Sequence, residues 1–240
     1  MSWLIVGGAF AGGLVSGLTG FGTGLVTLPV WLLVLPPILA APLVVVCSVA
    51  AQLQTLPAIW HAIDMRRMAP FIAGGALGVP FGTWLLPFVS VTAFKTGLGV
   101  ILILLCSFLL LSRRTVLVTR GGRLADGLVG LGGGLLGGLA GLSGPLPTLW
   151  AGLRGWGKDE RRAVFQGFNF CVLMFALVSQ ALAGYVTGPV GWLVLNALPG
   201  TVAGAWIGRR LYGRLDTARF NQAVLSVLLV AGVAMIVSAR

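Results

Sequence analysis

Ser16-Gly-Leu-Thr-Gly-Phe-Gly-Thr-Gly-Leu-Val-Thr-Leu-Pro29 interrupts an apolar segment with glycines and hydroxyls at the depth where a membrane helix is most regular. A second version runs Gly137-Gly-Leu-Ala-Gly-Leu-Ser-Gly-Pro-Leu-Pro-Thr148. Gly17, Leu18, Gly20 and Thr27 are matched there by Gly138, Leu139, Gly141 and Thr148 at a constant separation of 121 positions. The pair reads as two broken hairpins that face each other.

Around these stretches the chain is too apolar for a soluble domain. Of its 240 residues 58% are hydrophobic and 9% charged, and the mean hydropathy is +1.02, which leaves too little polar surface to cover a globule of this size. Apolar runs of membrane-helix length recur, where a transmembrane barrel would show short alternating stretches. The expected class is therefore an all-α integral membrane protein. The net charge of +11 sits in short loops beside apolar spans, so it reads as a topology signal and not as a nucleic-acid surface. Cys47, Cys106 and Cys171 lie inside apolar segments without metal-ligand spacing and read as small core residues, with no metal or cofactor implied. No basic stretch precedes the first apolar segment, which argues against a cleaved signal peptide.

Residues 3–35 form a stretch broken at Gly20 to Gly24, followed by spans at 42–60, 69–88 and 94–111. A basic linker, 113–123, separates this first repeat (1–112) from a second (124–240). The second has a broken stretch at 124–153 and spans at 164–185, 191–208 and 220–238. Gly78, Gly82 and Trp84 align with Gly200, Gly204 and Trp206 at a separation of 122, close to the separation of the broken stretches.

Loop charge sets the topology. If all eight segments crossed once, Lys and Arg would divide almost evenly between the two sides, against the positive-inside rule. If 124–153 instead enters and returns to the same side, every Lys and Arg except Lys95 and Arg240 falls together. The piece after Ser143 and Gly144 is also too short to cross about 30 Å of hydrocarbon. No Lys or Arg precedes 3–35, so its re-entry is expected by analogy with the second copy. Each half then holds one re-entrant hairpin plus three transmembrane helices. An odd number of crossings makes the two halves inverted-topology repeats, a pattern of secondary transporters with a midplane site. Both termini are expected outside, with loops 61–68, 113–123, 154–162 and 209–219 in the cytoplasm.

Irregular backbone at membrane depth must be buried in protein or line a cavity, because each unsatisfied amide costs several kcal/mol in lipid. A helix restarting after such a break presents unpaired N–H groups and a positive dipole end, a seat for an anion. The first hairpin would contribute amides of Gly20, Phe21, Gly22, Thr23 and Gly24 with hydroxyls of Thr19, Thr23 and Thr27. The second would contribute Gly141, Leu142, Ser143 and Gly144 with the hydroxyls of Ser143 and Thr148. Ser48 and Asn169 match at the same separation of 121 and are candidate side-chain donors, with Gln52 next. Ordinary interhelical hydrogen bonding is the alternative for each. Gln54 and Gln166 lie nearer span ends or off the expected face.

Gly74, Gly78 and Gly82, and Gly200, Gly204 and Gly208, read as helix-packing stripes. No Asp, Glu, Lys or Arg falls in the middle of a span, so the expected site has no fixed cation and no carboxylate relay. His61, the one histidine, falls at a span end beside Asp64, where a surface role fits better than proton coupling.

At these residues the sequence resembles the TauE/SafE family of sulfite and organosulfonate exporters. The resemblance covers essentially the whole chain and is carried by the glycine-rich openings of the two halves, Gly17 to Gly22 and Gly138 to Ser143. It implies a bacterial inner-membrane permease for small sulfur-containing anions or related carboxylates. Ser143 and Pro145 depart from the glycine-rich pattern in the second copy. Expected partners are a small anion and the lipid bilayer, and a homodimer is compatible with the class.

Two rivals share the same residues. Gly141-Leu-Ser-Gly144 spells the motif of intramembrane serine proteases, but no histidine follows Ser143 to take its proton, so no catalytic residue is expected. An uptake permease or channel for the same anions has identical sequence features, since sequence does not set the direction of flux.

Overall fold

The computed structural model describes residues 2–58, 61, 63–111, 122–154, 156, 158–212, 222, 226, 229–230 and 232–239. Within them the chain is all helical, with no strand. The α-helices are α1 (Ser2–Thr19), α2 (Thr23–Trp31), α3 (Pro37–Thr55), α4 (Met65–Leu85), α5 (Val91–Leu111), α6 (Gly122–Ala140), α7 (Pro145–Leu153), α8 (Lys158–Leu182) and α9 (Gly188–Tyr212). A C-terminal segment is helical at 232–237. Four of these helices are long and apolar enough to cross a membrane: α3, α4 with its 3-10 extension to Phe88, α8 from Arg162 onward, and α9. Most of the basic linker, the 213–219 part of the last charged loop and the Cys106 side chain lie outside the described residues.

Helix bounds differ from the hydropathy spans where proline and charge are read in context. Pro37 occupies the first turn of α3, where its fixed φ suits a helix start and its missing N–H leaves no bond unmade. α8 begins at Lys158, so Glu160 and Arg162 are helical and not in a loop.

Both breaks are folded as sharp returns. Gly20 (φ 84°) and Gly141 (φ 68°) adopt the left-handed backbone that a side chain resists. Each closes its helix with an N–H to the carbonyl four residues back, Gly20 to Ser16 at 2.7 Å and Gly141 to Gly137 at 2.8 Å. α2 then runs back along α1. A Cβ on Gly12 would stand 2.9 Å from the Thr23 carbonyl, one on Gly8 would meet Val30 and Trp31, and the Trp31 indole donates to the Ile5 carbonyl at 3.3 Å. α7 returns along α6 in the same manner. Ser143 lies against Gly133 and Gly137, and Leu146 against Gly132. The Trp150 indole reaches Asp126 at 2.6 Å, and Arg154 pairs with Asp126 at 3.1 Å. Each hairpin therefore begins and ends at one end of the molecule. At nine residues each, α2 and α7 span only about 13 Å.

Two of the loops that charge counting groups together, 61–68 and 154–162, meet. Arg67, at the start of α4, pairs with Asp64 at 3.3 Å and with Glu160 of α8, and lies over the Trp156 ring. Arg154 lies over the same ring. Arg209, near the end of α9, donates to the Gln54 carbonyl near the end of α3 at 3.0 Å.

Glycine stripes set the closest packing. A Cβ on Gly74, Gly78 or Gly82 of α4 would overlap the carbonyl of Gly127, Leu131 or Leu135 of α6, while Gly130, Gly134 and Gly138 of α6 abut carbonyls of α4 in return. α1 and α9 interlock likewise, through Gly13 and Gly17 on one side and Gly204 and Gly208 on the other. Such small-residue contacts let membrane helices gain dispersion energy at short range.

These contacts also fix a register. Gly78 meets Leu131 as Gly204 meets Phe10, which pairs α4 with α9 at a separation of 126, one helical turn beyond the 122 suggested by residue identity. A stripe with a period of four matches itself after a slip of four, so identity alone does not select the register. α3 and α8 form the interior, burying Leu43, Val44, Val45, Phe165, Phe168 and Val172. Leu77, Phe81, Trp84 and Phe88 face outward from α4 and its extension. Cys47 is buried, and Cys47 and Cys171 are free thiols.

Candidate functional site

The two breaks touch. A Cβ on Gly144 would lie 2.7 Å from the Phe21 Cβ, and one on Gly24 would lie 2.8 Å from Leu142 and 3.3 Å from the Gly141 carbonyl. Phe21 and Leu142 thus each cover a glycine of the opposite hairpin. Phe21 also packs edge-on against Phe165 of α8, with ring centroids 5.6 Å apart.

α3 backs both breaks. Val44 and Val45, in its middle, lie against Gly141, and Gln52, two turns on, donates from Nε2 to the Gly20 carbonyl at 2.8 Å. Ser48 sits between them in sequence, buried, and its hydroxyl has no protein partner. The Thr23 hydroxyl, beside the first break, and the Gln52 Oε1 are likewise buried without a partner. On α8 the Asn169 Oδ1 accepts the Ser143 hydroxyl. The structure therefore brings Phe21, Gly24, Gly141, Leu142 and Gly144 into contact, with Gln52 bonded to Gly20, Asn169 bonded to Ser143, Thr23 opening α2 and Ser48 buried one turn from Gln52 on α3.

Other candidate hydroxyls have local roles. Thr19 shapes the first turn: its Oγ1 donates to the Val15 carbonyl at 2.9 Å or the Phe21 carbonyl at 2.5 Å, and accepts from the Phe21 N–H at 3.4 Å. Thr27 and Thr148 donate to the carbonyls of Thr23 (2.9 Å) and Gly144 (2.7 Å) within their own helices, which leaves their oxygens only as acceptors. Gly22, at φ 103°, caps α2. The two seats differ in donors. The first turn of α2 offers amides of Thr23, Gly24 and Leu25, whereas α7 opens with Pro145 and Pro147, which have no N–H.

A buried cation lies beside the first break, at a position that the sequence alone assigns to a loop. Arg162 is 1% exposed and reaches the first break. Its Nη2 donates to the Gly17 carbonyl at 3.2 Å and its Nε to Gln166 Oε1 at 3.1 Å, and its guanidinium lies 3.5 Å from the centre of the Tyr212 ring. Gln166 passes the chain of bonds on to Thr55 of α3. Hydropathy windows that stop at charges put Arg162 in a loop and Gln166 near a span end. The signal that finds them is helical spacing, since Arg162, Gln166 and Asn169 fall at i, i+4 and i+7 on one face. Lys95 is also buried and donates to the Ser238 carbonyl at 3.0 Å, away from the breaks.

Ser143 has no histidine beside it, and His61 is exposed. No curated protein and no solved structure matches the chain. The family model described as sulfite exporter TauE/SafE matches residues 4–235, from α1 into the C-terminal helical segment, and the chain belongs to this family of membrane transporters.

Proposed function

We propose that the protein is a secondary carrier that exports small anions, foremost sulfite, organosulfonates or related sulfur-containing or carboxylate anions, from the bacterial cytoplasm. A family of transporters makes the protease motif at Ser143 incidental: this is not an enzyme. The observation that carries the proposal is the junction of the two breaks. Near it are the buried and unpartnered hydroxyls of Thr23, at the start of α2, and of Ser48, one turn from Gln52 on α3, and Gln52 already bonds the break. Buried polar groups of this kind are costly unless something accepts their hydrogen bonds, and an anion does.

The two halves are proposed as inverted repeats in the inner membrane with both termini outside. Support comes from the exchange of partners, α1 on α9 and α6 on α4, at matching positions. Alternating access then consists of parting Phe21 from Gly144 and Leu142 from Gly24, first toward one face and then the other. An interior-negative potential drives a monovalent anion outward by about 2.3 kcal/mol per 100 mV, so export needs no coupling ion.

The test is a ligand screen on the purified protein over sulfite, sulfoacetate, taurine, thiosulfate and simple carboxylates, followed by flux in oriented vesicles with an imposed potential. A stabilising anion and a flux that follows the potential are expected. Sulfite flux insensitive to the potential sinks electrogenic export, and failure of every anion to stabilise the protein sinks the site.

A further inference from the structure

We propose that Gln52 makes the site select anions that carry a hydrogen-bond donor beside their charged head, such as hydroxyalkyl sulfonates and hydroxy acids, over anions of the same charge that offer only acceptors. This rests on the function proposed above and names the substrate class of its site. Gln52 is 1% exposed and lies in the last turn of α3. Its Nε2 donates to the Gly20 carbonyl at 2.8 Å, which anchors the amide at the first break and fixes its orientation.

An amide nitrogen only donates and an amide oxygen only accepts. With Nε2 committed to a carbonyl, the end of the Gln52 amide left over is Oε1, buried with no protein partner. It lies within about 5 Å of the Gly20 carbonyl oxygen, the length of the hydrogen bond plus the width of an amide. An acceptor turned toward an anion's own oxygens repels them. A proton between the two reverses the sign, and a ligand that carries a donor supplies that proton.

The charged head has its own partners nearby. Gly20 and Gly22, both left-handed, wind the turn into α2, whose first amides, those of Thr23, Gly24 and Leu25, suit an anion. The Thr23 hydroxyl at that turn is buried and unpartnered. So is the hydroxyl of Ser16, whose carbonyl takes the Gly20 N–H at 2.7 Å, and so is that of Ser48, one turn before Gln52 on the same face of α3. The second break is spent by comparison. Its Ser143 and Thr148 hydroxyls are given to Asn169 and to the Gly144 carbonyl, and α7 opens on Pro145 and Pro147. The anion therefore sits at the first break, with its head on α2 and its donor on Gln52.

The experiment uses the full-length protein in proteoliposomes, with sulfite flux as the readout and matched pairs of anions as competitors: hydroxyethanesulfonate against propanesulfonate, and glycolate against propionate. Within each pair a hydroxyl replaces a methyl group at equal charge and nearly equal size. Wild type should be inhibited about tenfold more strongly by the hydroxyl member, because its partner leaves a buried acceptor unpaired. Gln52→Met keeps the length of the side chain and removes both polar atoms, so it should bring the two members of each pair to equal potency.

If Gln52→Met weakens every competitor by one factor and keeps the hydroxyl preference, Gln52 only ties α3 to the first break and the inference is overturned. Should the variant fail to fold, wild-type selectivity still decides, because equal inhibition by both members of each pair overturns the inference without any substitution. Wild-type protein that moves no sulfite at all overturns the proposed function as well, which separates the two failures.

Discussion

Removing the Asp126 carboxylate should unlatch the base of the second hairpin. Asp126, near the start of α6, accepts the Trp150 indole N–H at 2.6 Å and the Arg154 guanidinium at 3.1 Å. Both donors come from the returning arm, and the side chains of the ion pair are only 8% and 18% exposed. Breaking a buried pair by deleting one partner costs about 3–5 kcal/mol, because the other charge is left uncompensated. The partial exposure of Arg154 puts D126A near the lower limit, about 3 kcal/mol. For a chain of this length that corresponds to a fall in melting temperature of roughly 6–12 °C.

Two companions calibrate the figure. D126N keeps an oxygen for Trp150 and gives up the charge, so it should lose about half as much. In the first hairpin the corresponding latch is the neutral bond from Trp31 to the Ile5 carbonyl, worth about 0.5–1.5 kcal/mol, so W31F should be the mildest of the three. Thermal unfolding of the purified protein in one detergent gives all the values. The latch reasoning is refuted if D126A melts with the wild type, or if W31F costs more than D126A.

Two further outcomes follow from the same contacts. G78A and G204A each place a methyl group against a backbone carbonyl that has no room to swing aside, Leu131 and Phe10 respectively. Each should cost about 1–3 kcal/mol, whereas G97A, with nothing within 4 Å, should not; equal melting of all three would remove the packing argument. In a cysteine-free background, W3C and L33C, at exposed positions flanking the first hairpin, should react with an impermeant thiol reagent from the same face of the membrane, and R66C from the opposite face. Labelling of Trp3 and Leu33 positions from opposite faces would mean that the first segment crosses.

The two breaks were legible because physics constrains them twice. Glycines and hydroxyls in an apolar run have no reason to sit against lipid, and the same residues recur 121 positions on, at the second break. For the second hairpin, loop charge added a direct vote, since Arg154 returns to the side from which Arg123 enters. For the first hairpin no Lys or Arg precedes the segment, and only the contacts of Gly8, Gly12 and Trp31 establish that it folds back. The register of α4 against α9 was hidden for a different reason. Carbonyl partners lie on other helices, and a stripe of identical small residues has several equivalent self-alignments.

Arg162 was hidden by the rule that otherwise worked best. Counting loop cations treats every Arg near a span end as a vote on sidedness, and α8 does start at the end where Arg67, Glu160 and Arg154 gather. What the count does not register is that a helix can begin outside the hydrocarbon and still carry its fifth residue beneath the surface of the protein. A long side chain one turn into a helix points back along the axis or inward according to its face. Arg162 shares its face with Gln166 and Asn169, which places it inward. A cation that charge counting assigns to a loop can therefore be buried in the protein and donate to the backbone beside a break, as Arg162 does at Gly17.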